Sequence, residues 1–348
     1  MTLIAFAGFD HFTTHHCVTG SLRHMYAFHG YPISEEMLLG LGAGVGFIYW
    51  HIKRTLPFIG GRANVGRPGE QGLEKDAGRC TGVGVELLRT GSAAKAEKTM
   101  LARLADGKPV MLVLDMGYLP YFDFGSEAFH FGYHVVVACG YNPETGQVLI
   151  ADRDEALHPV SLADLAKARG STYQPFPPRH GWYTFDFSQT RQPEPDEIYL
   201  AIQRCAAGML HPPITNMGVK GIHKAARRIR AWTGELSEKD LRNTCINCAI
   251  MIDARGGSGG GLFRKMYGRF LVEAAQFLQQ SVLSQVGVQM QQIGERWDQV
   301  AELFELAYRA AAPGEKLGEI CALLPEIAAD EQAVWSQLDQ AIYIQGDI

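Results

Sequence analysis

The sequence predicts an α+β protein in two parts: a mixed N-terminal domain with an antiparallel sheet, and an all-α C-terminal domain. Two observations carry this. Up to about Asp186 the chain is glycine-rich, and helical stretches alternate with β-branched runs such as "KPVMLVLDM" (108–116), "YHVVVACGY" (133–141) and "QVLIAD" (147–152). Beyond that point the composition shifts to Ala, Gln, Glu, Leu and Arg, with apolar residues recurring at three- and four-residue steps. The proline-rich stretch "YQPFPPRHGWYTFDFSQTRQPEPDE" (173–197) separates the two and reads as a boundary. The expected domains are therefore 1–190 and 191–348. A chain of 348 residues suits two domains at roughly 150 residues each.

Taken in order, "TTHHCVTGSLRH" (13–24) places polar, cap-forming residues just before a helix that Cys17 opens. "SEEMLLGL" (34–41) reads as a second helix. The following "GLGAGVGF" (40–47) superficially matches a nucleotide-binding glycine loop, but it follows a helix instead of a strand and is read as a tight turn. In the second half "EIYLAIQRCAAGML" (197–210), "LFRKMYGRFLVEAAQFLQQSVL" (262–283) and "RWDQVAELFELAYRAAA" (296–312) are helices. The prolines of "AAPGEK" and "LLPEIA" punctuate the last of them. These long helices leave room for a homo-oligomer interface.

Composition removes several classes of function. A hydrophobic share of 47% and a charged share of 20% are ordinary for a globular protein with a real core. A net charge of −5 argues against a nucleic-acid footprint. No apolar run approaches the ~18 residues a membrane helix needs, and "MTLIAFAGFDHF" lacks the basic start of a signal peptide. Seven scattered cysteines are an odd number and do not suggest a disulfide framework, so a reduced, cytoplasmic protein is expected.

Cys17 has three readings: a nucleophile, a metal ligand beside His15 and His16, or a small core residue. A cysteine acts as a nucleophile only as a thiolate, which needs a cation, a base or a helix N-terminus nearby. The segment "HVVVACGYNPETGQVLIADRD" (134–154) supplies a partner arrangement, two apolar strands joined by turn-forming residues. If Tyr141 pairs with Gln147, Asp154 falls opposite His134 and Asp152 opposite Val136. All three side chains then share one face, and either carboxylate can take the imidazole N–H. A shift of one residue would send histidine and acids to opposite faces. A buried histidine with an orienting acid is what a general base requires, although a His–Asp pair can also serve stability alone. For the metal reading, adjacent histidine side chains diverge and no third ligand converges. The pair in "CINC" (245–248) has no second pair at ligand spacing and reads as buried small residues. No metal and no resident cofactor is expected.

At these residues the chain resembles the butirosin-biosynthesis protein H family. The similarity lies in "HHCVTGSLRHMYAFHGYPISEEMLLGLGAGVGFIYW" (15–50) and "FHFGYHVVVACGYNPETGQVLIADRDEALHPVSLADLAKAR" (129–169). The second half resembles the helical domain of unknown function that usually follows, including "RGGSGGGLFRKMYGRFLVEAA" (255–275). The resemblance implies a papain-like, cysteine-peptidase-type fold for the N-terminal domain. It also implies an acyltransferase activity, moving an acyl or aminoacyl group from the phosphopantetheine thioester of an acyl carrier protein to a small-molecule amine in specialised-metabolite (antibiotic) biosynthesis. Carried over by position, Cys17 matches the nucleophile, His134 the base and Asp152 the orienting acid, with Asp154 the alternative acid. Related leader peptidases have a glutamine about six residues before the cysteine as an oxyanion donor; here that position is His11. Thr13, Thr14 and His16 are the other candidates, beside the Cys17 backbone N–H.

Two basic stretches complete the expectations. "RGGSGGGLFRKMYGR" (255–269) sets Gly259 and Gly260 before a helix start that carries Arg264 and Lys265, a place for the phosphate of the pantetheine arm. The alternative is a flexible linker opening an amphipathic helix. "VKGIHKAARRIRAW" (219–232) includes Arg227 and Arg228 on a basic face that would suit an acidic carrier protein, or is simply solvated. A cysteine peptidase or amidase using the same triad, and a non-catalytic protein that binds a carrier protein or metabolite, are the competing functions.

Overall fold

Five consecutive buried residues, Val110–Leu114, cannot present a polar face, so this strand needs cover on both sides. It lies inside a six-stranded antiparallel sheet. The spatial order is Gly84–Leu88, Trp182–Asp186, Val110–Leu114, His134–Asn142, Gln147–Ala151 and Leu157–Ser161. One face buries Leu112, Leu114, Val136, Ala138, Val148 and Ile150 against Met100 and Leu104 of the Ala93–Ala105 helix and Leu165 of the Leu162–Gly170 helix. The Cys17–Phe28 helix packs along the His134–Asn142 strand, where the Ser21 hydroxyl donates to the Val135 carbonyl at 3.2 Å. The computed structural model describes residues 3–52, 55–65, 72–123, 130–174, 176–253 and 260–343.

The chain divides into two compact units. The first comprises Met1–Leu38 and Thr81–Gln192, and contains the six-stranded sheet. The second comprises Pro193–Ile348 together with Leu39–Cys80. It is therefore not all helical: Val45–Trp50 and Phe58–Arg62 form a two-stranded antiparallel hairpin. Packing explains why this early segment joins the late one. Phe47 stacks on Trp297 at 5.5 Å, the Trp232 indole N–H reaches the Tyr49 hydroxyl at 3.4 Å, and Arg264 Nη1 donates to the Gly46 carbonyl at 2.7 Å.

The rest of the second unit is a stack of long helices, chiefly Gly260–Leu278, Ser281–Arg309 and Gly314–Tyr343. The first two run antiparallel with glycines facing glycines. A Cβ on Gly268 would lie 2.5 Å from the Gly287 carbonyl oxygen, so the backbones meet where no side chain fits. Pro325 lies inside the last helix and does not end it, contrary to the expected break. Among the described residues no helix is long and apolar enough to cross a membrane.

Candidate active site

The site lies in the first unit and is assembled from three places in the chain. Cys17 is the first residue of a 12-residue helix, where the helix dipole favours negative charge. The loop before it is fixed by Glu35. This buried carboxylate accepts the His15 and His16 N–H groups at 2.9 and 2.7 Å, and the Thr19 hydroxyl at 2.9 Å. The Thr14 N–H donates to the Arg153 carbonyl at 2.8 Å. A Cβ on Gly20 would meet Thr14 Oγ1 at 2.3 Å, so glycine lets the loop lie tight on the helix.

His134 opens the strand His134–Asn142 and is buried. Its Nε2 lies 2.6 Å from Asp152 Oδ2, just past the end of the neighbouring strand. With Nε2 engaged, Nδ1 is the ring nitrogen left for Cys17, whose thiol is a hydrogen-bond partner of His134. Asp152 Oδ2 also accepts the Tyr121 hydroxyl at 2.9 Å, and its Oδ1 accepts the Arg153 N–H at 2.9 Å. Phe122 sets its ring edge-on to His134, with centroids 5.5 Å apart.

The electrostatics follow from these contacts. Burial pushes the Cys17 thiol up, but the hydrogen bond and charge of His134, aided by Arg153, outweigh it and hold the thiol below its usual value. Burial would lower His134, yet the charge and hydrogen bond of Asp152, with Cys17 behind them, raise it to about 9. Burial would raise Asp152, and His134 more than reverses that. Between the lowered thiol value and about pH 9 the favoured state is a thiolate beside an imidazolium.

The expected pairing of the hairpin is reached by an indirect route. Near the turn Asn142 pairs with Gln147 and Tyr141 with Val148, one residue off the anticipated register. An irregularity between Ala138 and Gly140 takes up the extra residue, so that Ala138 faces Ile150 and Val137 faces Ala151, as anticipated. Asp152 and not Asp154 reaches the ring. Asp154 instead holds His158 at 2.9 Å and accepts the Ala156 N–H.

The other predicted residues separate clearly. His11 stacks on His24 at 5.4 Å and faces the Asp154 backbone. The His16 ring turns inward, its Nδ1 3.0 Å from the Thr19 hydroxyl. The Thr14 hydroxyl is buried without a partner among the described residues, and Thr13 is exposed. Gly259 lies outside the described residues, while Gly260 packs against Trp297. Arg264 is a correction to the phosphate-binding expectation: it is fully buried, and its guanidinium forks onto Glu331 at 2.8 and 2.9 Å. Lys265 pairs with Asp298 and Arg228 with Glu235, which leaves Arg227 exposed on its helix. Cys245 and Cys248 are buried, and burial pushes the Cys245 thiol up to about 12 and the Cys248 thiol well above its usual value. Among the described residues no group of three or more His, Cys, Asp or Glu side chains could hold a metal.

Tyr121 and Glu35 were not singled out by the sequence. Tyr121 lies 31 positions before Asp152 in a loop without periodicity. Glu35 looks like an ordinary first-turn acid of its own helix, although it turns back to another.

Fold and site together define a mixed α/β protein with antiparallel sheets and a helix-start cysteine beside a buried His–Asp pair. The chain matches the family described as Butirosin biosynthesis protein H, N-terminal over residues 16–153. It also matches the Domain of unknown function (DUF4872) over residues 163–338. The chain belongs to this family, a butirosin-biosynthesis-protein-H-like N-terminal domain followed by that domain of unknown function. No curated protein matches it.

Proposed function

We propose that the protein is an acyltransferase of specialised-metabolite biosynthesis that works through an acyl-enzyme on Cys17. The observation that carries this reading is the His134 Nε2–Asp152 Oδ2 contact of 2.6 Å, on a ring whose other partner is a helix-start thiol. In this reading the first unit is a papain-like domain. The Cys17 thiolate attacks the carbonyl of a phosphopantetheine thioester presented by an acyl carrier protein. The carbon–sulfur bond to pantetheine breaks, His134 delivers its proton to the departing thiolate, and the acyl group stays on Cys17. An amine then attacks the new thioester, His134 takes the amine proton, and collapse releases the amide and restores the thiolate. Asp152 keeps the ring oriented and stabilises its charged form.

The oxyanion is assigned to the Cys17 backbone N–H. The N–H groups of Thr14, His15 and His16 are already committed to Arg153 and Glu35. One such donor is commonly worth ~10²–10³ in turnover. The reading is tested by intact mass after incubation with an acyl-carrier thioester. An acyl adduct on the wild type that Cys17→Ala lacks is expected, and conversion of that adduct to an amide when amine is added. Free acid at the same rate with or without amine would make the protein a hydrolase using the same residues. No adduct, together with no selective alkylation of Cys17, would overturn both.

A further inference from the structure

One oxygen of Asp152 serves two donors. Oδ2 takes the His134 Nε2 contact at 2.6 Å and also accepts the Tyr121 hydroxyl at 2.9 Å. Tyr121 comes from the connection between the Val110–Leu114 and His134–Asn142 strands, the second of which His134 opens. Burial, with the charge of Asp152 behind it, pushes the Tyr121 phenol well above its usual value, so the hydroxyl stays a neutral donor at every working pH.

A second histidine–acid pair seats this tyrosine. Beyond the Gln147–Ala151 strand the chain turns through Asp154 and returns as Leu157–Ser161, where His158 lies opposite Ile150. Both oxygens of Asp154 hold His158 Nε2, at 2.9 and 3.0 Å. The His158 ring lies flat on the Tyr121 ring, with centroids 3.9 Å apart and planes 16° apart. A phenol stacked in this way has little rotational freedom, so its hydroxyl keeps one direction. The other titratable groups that act on the cluster are Cys17 on His134, Arg153 and His24 on Asp152, and His11 on Asp154 and His158.

A hydroxyl that donates to a carboxylate stabilises its charged form. That bond is worth most when the carboxylate has no other counter-charge, which is when His134 is neutral. When His134 is protonated, the ion pair already satisfies Oδ2 and the two donors compete for it. The Tyr121 hydroxyl thus works against Asp152 for the imidazole proton. A group that must give up a proton and take one back is most effective when it binds that proton near the working pH.

We propose that Tyr121 is a positioning residue that limits how tightly Asp152 holds the His134 proton, and that the Asp154–His158 pair keeps its hydroxyl on Asp152 Oδ2. The role rests on the acid–base part given to His134 in the proposed reaction.

The test follows the His134 ring by nuclear magnetic resonance in the full chain as pH rises, with His134→Gln to assign its signal. Tyr121→Phe is expected to raise the titration midpoint by about half a pH unit or more. His158→Ala frees the Tyr121 ring and is expected to raise it too. His158→Phe keeps a flat ring on Tyr121 and is expected to return most of the way to the wild-type midpoint, which a general packing defect would not do. Tyr121→Phe combined with His158→Ala should go no higher than Tyr121→Phe alone, because His158 acts through the hydroxyl. The proposal is overturned if folded Tyr121→Phe keeps or lowers the wild-type midpoint, or if His158→Ala titrates as the wild type does. The two His158 variants decide it by themselves should Tyr121→Phe not fold. With these midpoints as expected, a missing acyl adduct on the wild type would overturn the acyl transfer and not the part played by Tyr121.

Discussion

At the scale of single residues, His134 sits between two partners that both favour its proton. Its value of about 9, against a usual 6.5, keeps a cation beside Cys17 across the neutral range and helps to hold the thiol below its usual value. Alkylation of Cys17 by iodoacetamide should set in at lower pH than for an ordinary thiol, and amide formation should fall as pH rises through about 9. Asp152→Asn removes the main force raising His134, so the upper limb should move down toward 6.5, and turnover should drop by about 10²–10⁴. The linked stability has a definite sign. Because the folded value of His134 is raised, its contribution is fully present below about 6.5 and is lost as pH rises through about 9. Asp152 is held down, so its contribution is present above about 3.9 and is lost as pH falls through its lowered value. Tyr121→Phe removes one of two donors to Asp152 Oδ2, and should cost about 1–3 kcal/mol in denaturant unfolding while the Cys17 adduct still forms. Cys17 and His134 were legible because each lies at an element boundary that composition reveals, whereas counting along the strands left Asp152 and Asp154 both open and only the family resemblance favoured Asp152. Tyr121 was not legible, since only the folded loop brings it to Asp152.

At the scale of elements, the hairpin shows how much a count along two strands can carry. The sequence allowed Tyr141 opposite Gln147, which puts the histidine and both acids on one face. The turn in fact begins one residue later, and that shift alone would have separated them. The irregularity at Cys139 restores the face. Its only mark in the sequence is Gly140, where a Cβ would stand 2.3 Å from the Ile4 carbonyl oxygen. Gly140→Val should therefore disturb both the N-terminal segment and the His134–Asp152 contact, seen as loss of selective Cys17 alkylation. Glu35 matters in the same way for the Cys17 helix. Glu35→Ala strands two backbone N–H groups and a hydroxyl, and should cost about 2–4 kcal/mol in denaturant unfolding. In the second unit Gly287→Ala puts a Cβ 2.6 Å from the Gly268 carbonyl oxygen. It should cost about 1–3 kcal/mol by overpacking, leaving Cys17 reactivity unchanged.

At the scale of the whole molecule, the boundary near residue 190 is visible in the prolines, but the membership of Leu39–Cys80 is not. Its hairpin has an ordinary mixed composition, and only the partners of Phe47, Tyr49 and Gly46 reveal where it belongs. A fragment ending at Gln192 keeps this segment and removes every helix it packs on. Such a fragment should bind a hydrophobic dye and aggregate, whereas the full chain should not. The same threading has a consequence during synthesis. Residues 39–80 leave the ribosome well before residues 193–348, and at 5–20 residues per second that second stretch takes about 10–30 s to appear. For that interval the hairpin waits with its apolar face uncovered, so yield in cells should depend on chaperones that hold nascent chains. Slowing translation of the second half would lengthen the wait and lower the yield.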